Sequence, residues 1–567
     1  MNVTRPRDMS SRRLARLTAS AFAVAAVVAG MAAIRPDEAG AAPQRASARH
    51  DAEFKAPKLK HGLLKVKGTD ANDEIVLRLK AGDASILEVD AGSALFRFDR
   101  ADIERIEVDG KDGNDGLRID ESNGAFTNAI PTELDGGDGN DTMAGGSGAE
   151  TFRGGDGNDS MDGNRGNDLA YMGDGDDTFI WDPGDGNDTI EGQDGTDTMR
   201  FNGANGAEQV DMSANGERLR FFRQPGNVLM DTDDVEQVDF NALGGADSVN
   251  VNDLSGTDVR AVNLELAGTL GGTAGDGAAD PITVSGTNGN DAITISGDAN
   301  AVNVSGLSAL VSIRHAEPAD SLIVNAQGGN DSIDAAGLPA GVIGLTIDAG
   351  AGNDTVAGSQ GAELVRGGDG NDTVDGNRGN DTGLMGAGDD TFIWDPGDGN
   401  DTIEGQDGTD TMRFNGANGA EQVDVSANGK RLRFFRQPGN VLMDTNDLER
   451  VDFNALGGSD VITVNSLAGT DVTAVNLDLA GTLGGNAGDG AADQVIVNAT
   501  DGDDTIDVSG SAAAGLRVSG LAATVAILHP EASDRLDVNT QLGNDTVGSA
   551  GLAAGSIQLF VDGLARP

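Results

Sequence analysis

The sequence predicts an all-β protein: parallel β-roll or β-solenoid blocks alternate with β-rich solenoid or meander segments, in two tandem copies. Three observations carry this reading. Glycine- and aspartate-rich nonapeptides recur head to tail, as in "GGDGNDTMA" at 136–144 and "GGDGNDSMD" at 154–162. A long stretch of the chain is written twice. Beyond the amino terminus no long segment has the apolar spacing of a helix, and short Val/Ile/Leu runs between Gly, Asn and Asp read as strands.

In chain order, residues 1–41 read as a signal peptide. Arg5, Arg7, Arg12, Arg13 and Arg16 form a basic start, "TASAFAVAAVVAGMAA" (18–33) an apolar stretch of small residues, and "AGA" (39–41) a cleavage site. The apolar stretch is short for a span of about 20 residues. No later segment is apolar enough to cross a bilayer, so the mature chain is expected to lack a transmembrane segment. It is expected outside the cell, with retention on the cell surface left open. "SRRLAR" (11–16) resembles a twin-arginine signal, but Ala15 fits it poorly, so the export route also stays open.

Residues 42–134 read as a β-rich segment, with "GLLKVKG", "EIVLRLK" and "ILEVD" divided by turns. The duplication follows. "DDTFIWDPGDGNDTIEGQDGTDTMRFNGANGAEQVD" begins at Asp176 and recurs unchanged from Asp389. This divides the rest into a repeat block at 135–203, a β-rich segment at 204–347, a second block at 348–416 and a second β-rich segment at 417–567. In the β-rich segments, "VDMSANGERLRFFRQPGNVLMD" sets Asn215-Gly216 and Pro225-Gly226 between alternating runs, the pattern of an antiparallel hairpin or meander.

Composition narrows the function. Acidic residues outnumber basic ones 93 to 39, for a net charge of -54. That field repels nucleic acid phosphates and draws in cations. There are 85 glycines, aromatic residues are only 4%, and there is no cysteine, so neither disulfides nor thiolate metal sites can hold the chain.

The nonapeptide explains itself chemically. Its glycines permit positive φ, so six residues can turn their carbonyls toward one centre. Carbonyl and carboxylate oxygens suit a hard cation such as calcium. The last three residues make a short strand whose eighth position faces inward, and stacking buries what one unit cannot. The sixth position is Asp141, Glu150, Asp159, Asp168, Asp177, Asp188 and Asp197 in the first block. In the second it is Asp354, Glu363, Asp372, Asp381, Asp390, Asp401 and Asp410. The two glutamates replace aspartate with a longer arm.

These units resemble the repeats-in-toxin (RTX, haemolysin-type) family, whose motif G-G-x-G-x-D-x-U-x is a known calcium-binding repeat. The resemblance implies a parallel β-roll with several calcium ions per chain between stacked turns. It places the ligands on the sixth-position carboxylates named above and on turn carbonyls, including Gly137, Gly139, Gly155, Gly157, Gly368 and Gly370. Looser echoes end at Asp73, Asp115, Asp247, Asp291, Asp331, Asp460, Asp504 and Asp545. Standing alone rather than in tandem, they read as solenoid or Asx turns.

A catalytic site is not visible. There is no H-E-x-x-H or G-x-S-x-G motif, and His50, His61, His315 and His529 lie far apart in the sequence. The expectation is a non-catalytic surface or matrix scaffold or adhesion protein. The alternative is a carbohydrate-active or other secreted enzyme that uses the repeats as a stabilising module, since 93 acids make carboxylate pairs inevitable. "ERLRFFRQPGN" (217–227) and "KRLRFFRQPGN" (430–440) are the basic, aromatic patches. They read as hairpin strands, or as docking patches for cell-surface polysaccharide or for self-association.

Overall fold

A strand, a turn, a strand and a turn make one coil, and the coils stack. In the computed structural model, which describes residues 54–92 and 94–566, this plan gives two long sheets face to face. The signal-peptide reading and His50 lie outside the described residues. Glu150–Asp156 belongs to one sheet, Ser160–Asp162 to the other, and Leu169–Asp174 returns to the first, parallel to Glu150–Asp156. Two nonapeptides therefore make one coil, and residues 18 apart become neighbours across the stack. In the second sheet only the last three residues of a unit pair, as in Ser160–Asp162. In the first sheet pairing runs on into the next unit's glycines, as in Glu150–Asp156.

The eighth-position residues fill the interior. Met143, Phe152, Met161, Ala170, Phe179, Ile190 and Met199 are all at most 1% exposed. In the second block Val356, Val365, Val374, Phe392, Ile403 and Met412 do the same. Gly383 brings no side chain there, and Phe392 and Met385 close in over it.

The β-rich segments use the same two sheets with longer coils. Gln209–Asn215, Arg218–Gln224 and Val228–Asp233 form the antiparallel meander that the turn residues announce. It lies within the first sheet: Val228–Asp233 joins Thr189–Asp194, and Gln209–Asn215 joins Ser248–Val251. Gln422–Asn428, Arg431–Gln437 and Val441–Asn446 repeat it. The second sheet holds its own triplets, Ala292–Gly297 to Leu310–Arg314 and Thr505–Ser511 to Thr524–Leu528. Beneath the first meander Trp181 stacks on Phe201 at 4.0 Å, and Phe201 meets Phe221 at 4.5 Å; Trp394, Phe414 and Phe434 repeat this cluster.

Neither sheet closes on itself: Leu95–Asp99 and Thr546–Leu552 each pair on one side only. With 25 strands in the first sheet, spaced about 4.8 Å apart, the stack is roughly 115 Å long. One apolar core runs from Leu64 to Val561. The stretches 135–203, 204–347 and 348–416, with the described parts of 42–134 and 417–567, are thus consecutive coils of one stack. Among the described residues Arg100–Asp102 is the single helical element, and no helix is long and apolar enough to cross a membrane.

Candidate calcium sites

The turns stack so closely that side chains are excluded from their first half. Gly137, Gly139, Gly155 and Gly157 sit at φ 104°, 134°, 111° and 130°, and Gly368 and Gly370 at 111° and 129°. A Cβ on Gly155 would run into the carbonyl oxygen of Gly137, and one on Gly157 into that of Gly139. Backbone carbonyls of successive coils therefore line a column along each edge of the stack, as the sequence-predicted glycine positions require.

The sixth-position carboxylates stand in these columns and are linked to one another. The amide of Asp141 donates to Oδ1 of Asp159 at 2.7 Å, that of Asp159 to Asp177 at 2.7 Å, and that of Asp177 to Asp197 at 2.9 Å. On the opposite edge Glu150 donates to Asp168 at 2.7 Å and Asp168 to Asp188 at 2.8 Å. The second block repeats both series, from Asp354 through Asp372 and Asp390 to Asp410, and from Glu363 through Asp381 to Asp401.

One carboxylate oxygen is thereby satisfied and the other is not. Oδ2 of Asp141, Asp159, Asp168, Asp177, Asp188, Asp197, Asp354, Asp372, Asp381, Asp390 and Asp410 is buried without a partner, as is Oε1 of Glu150. Burial, and then like-charged neighbours, pushes these carboxyls up: Asp168 to about 9, Asp381 to about 8, and Asp159 and Asp372 to about 7. Unpaired buried oxygens facing stacked carbonyls are a donor set for a hard cation, which would neutralise each column when bound.

A family model for the RTX calcium-binding nonapeptide repeat matches residues 133–149, 145–179, 184–206, 346–362, 357–392 and 397–419. The chain carries RTX calcium-binding repeats. No curated protein matches it. Among solved structures, the extracellular lipase LipA from Serratia marcescens is similar at 16% identity and a TM-score of 0.14. That match covers 60% of this chain and 42% of the lipase, and a likeness so slight carries no argument about activity.

Two RTX positions depart from the pattern. Both oxygens of Glu363 are taken by Ser359, through its amide at 2.9 Å and its hydroxyl. Unlike the aspartates, Glu363 therefore presents no unpartnered oxygen; its long arm reaches back across its own turn. Glu150 reaches back likewise to the Gly146 amide at 2.7 Å, and keeps only Oε1 unpartnered.

The columns also run past the RTX repeats, which the motif alone does not reveal. Glu236 accepts from Asp197 at 2.8 Å, and Glu449 from Asp410 at 2.8 Å. Glu208, Asp247, Asp280 and Asp320 continue the second edge, each amide donating to the next carboxylate. Period-nine reading misses these positions because the longer coils separate neighbours by 33 to 40 residues. The available signal was the lone Asp or Glu directly before each strand.

The arginine patches are engaged internally. Arg218 binds Asp231 at 2.7 Å and Glu191 at 3.0 Å. Arg220 binds Asp211 at 3.0 Å and lies over the Phe222 ring. Arg223 is buried, paired with Glu208 and set over Trp181. Arg431, Arg433 and Arg436 repeat these pairings with Asp444, Asp424 and Glu421. His315 and His529, each just after a strand, pair with Glu265 and Asp478.

Proposed function

We propose that this is a secreted calcium-binding repeat protein that rigidifies on extracellular calcium and serves as a non-catalytic surface or matrix scaffold. The observation that carries the reading is the run of buried, unpartnered carboxylate oxygens in both RTX blocks. Without a cation these columns combine the cost of burying charge with mutual repulsion. Calcium binds only the folded columns and so stabilises them by mass action. Extracellular calcium modules are tuned to about 10⁻⁴–10⁻³ M. A chain with no cysteine gains from that ion the rigidity a disulfide gives elsewhere.

Far-ultraviolet circular dichroism of the purified protein tests the coupling. Strand signal should rise substantially between chelator and millimolar calcium, and identical spectra would refute it. Attachment to cell-surface polysaccharide or to other copies has less behind it, because the arginines of "RLRFFR" are already paired. Turnover assays on polysaccharides, with and without calcium, separate the scaffold from the enzyme.

A further inference from the structure

Turns outside the RTX matches come in two kinds, distinguished by their second residue. In one kind that residue is left-handed, as the glycine is within the repeats: Lys111 at φ 83°, Leu243 at 67°, Gln327 at 70°, Leu456 at 63° and Gln541 at 64°. The last two turns close on Asp460 and Asp545, whose Oδ2 atoms are not among the buried, unpartnered ones. The first three close on Asp115, Asp247 and Asp331, which are 3%, 1% and 2% exposed. Their Oδ1 atoms accept the amides of Asp73, Glu208 and Asp291 at 2.7, 2.7 and 2.8 Å. Their Oδ2 atoms are buried with no partner.

In the other kind the second residue is threonine, whose branched side chain disfavours the left-handed region. Thr69, Thr287 and Thr500 instead turn their amides onto Oδ2 of Asp73, Asp291 and Asp504, at 2.5, 2.7 and 2.9 Å. Their hydroxyls reach the same oxygens at 2.9, 3.1 and 2.8 Å. Here Oδ2, the oxygen left free in the first kind, has two donors from within its own turn.

An unpartnered buried carboxylate oxygen costs more than either remedy, a pair of donors or a cation. We infer that Asp115, Asp247 and Asp331 each hold a calcium ion outside the RTX repeats, whereas the threonine turns at Asp73, Asp291 and Asp504 hold none. The placement agrees with the columns. Asp115 donates to Asp141 and Asp331 to Asp354, both at 2.7 Å, so each RTX block gains one site a coil before its first match. A Cβ on Gly110 would collide with Asp115 Oδ2 and the Gly136 carbonyl, as one on Gly136 would with Asp141 Oδ2 and the Gly154 carbonyl. Asp247 lies on the other edge, between Glu208 and Asp280. A threonine at the second position of the turn thus occupies the oxygen that an ion would need.

The inference rests on the calcium reading of the repeats, and equilibrium dialysis with calcium tests it on the full chain. Asp115→Asn, Asp247→Asn and Asp331→Asn together keep the Oδ1 acceptors and remove the free oxygens, so three ions per chain should be lost. Asp73→Asn, Asp291→Asn and Asp504→Asn together should lose none. An unchanged count in the first variant, or equal losses in both, overturns the assignment. Anomalous scattering from calcium in crystals of the unaltered protein gives an answer that does not depend on variants folding. Peaks should lie beside Asp115, Asp247 and Asp331 and not beside the threonine turns. Calcium at the RTX repeats alone would overturn the inference and leave the repeat reading standing; no calcium anywhere would overturn both.

Discussion

The RTX coils and the meander coils build the same two sheets by opposite means. An RTX coil has strands as short as Ser160–Asp162, where Met161 is the one buried apolar side chain, and packs its edges with unpaired carboxylates. A meander coil carries Phe221 and Met230 on neighbouring strands, both fully buried, over a stack that includes Trp181. On the calcium reading proposed above, the first draws more heavily on an ion, and the second on apolar burial. One architecture can therefore be stable with or without metal over different stretches of a single chain.

Chelation should expose this contrast most strongly. In hydrogen exchange with chelator, amides at 132–202 and 344–415 should lose most of their protection, while 209–325 and 422–539 keep theirs except around the Asp247 turn. Uniform loss along the chain would mean that the meander coils do not stand without calcium. Next in size, Phe221→Ala should cost about 3–5 kcal/mol, the usual range for a large core deletion. Its calcium count should not change, and a parallel loss of ions in dialysis would break the division between the two regions.

Glycine substitutions give a smaller difference. Gly216 sits at φ 73° with open space around it, so Gly216→Ala should cost about 1–2 kcal/mol for the left-handed backbone. Gly155→Ala adds a collision with the Gly137 carbonyl and should cost roughly twice that or more. Urea midpoints in calcium would show whether the two costs differ.

The smallest effect concerns pH. Burial holds Asp159 and Asp372 up near about 7 and Asp168 near about 9, against an ordinary value near 4. Protonation therefore favours the metal-free fold: its stability is full below pH about 4 and drains away as pH rises through about 7 to 9. Chelated protein should show a higher urea midpoint at pH about 5.5 than at pH about 8. Calcium-loaded protein should show the reverse, because its ligands must be ionised.

Much of this was legible in the residues. Tandem Gly-Gly-x-Gly-x-Asp units announce both the turn and its closing carboxylate, and Asn215-Gly216 announces the meander. The turn at Asp247 was legible as a turn, but Leu243 hid its likeness to the repeats, because leucine gives no sign of the positive φ that its neighbours impose. Glu208 and Glu236 were invisible as column members, since meanders carry their partners about forty residues away. The arginine patches read correctly as hairpin strands but left a docking role open for a related reason: "RLRFFR" shows six residues of one strand, and Glu191, which binds Arg218, lies 27 residues earlier.

The carboxylate columns have a direction. Each amide finds its acceptor on the coil that follows it in the chain, from Asp73 to Asp115 to Asp141 and onward. A coil is finished only when its successor arrives. A polypeptide threading amino end first through a ribosomal tunnel or a membrane pore would thus always trail one open coil at the exit. Closure would advance like a zip whose slider travels with the emerging chain and cannot overtake it.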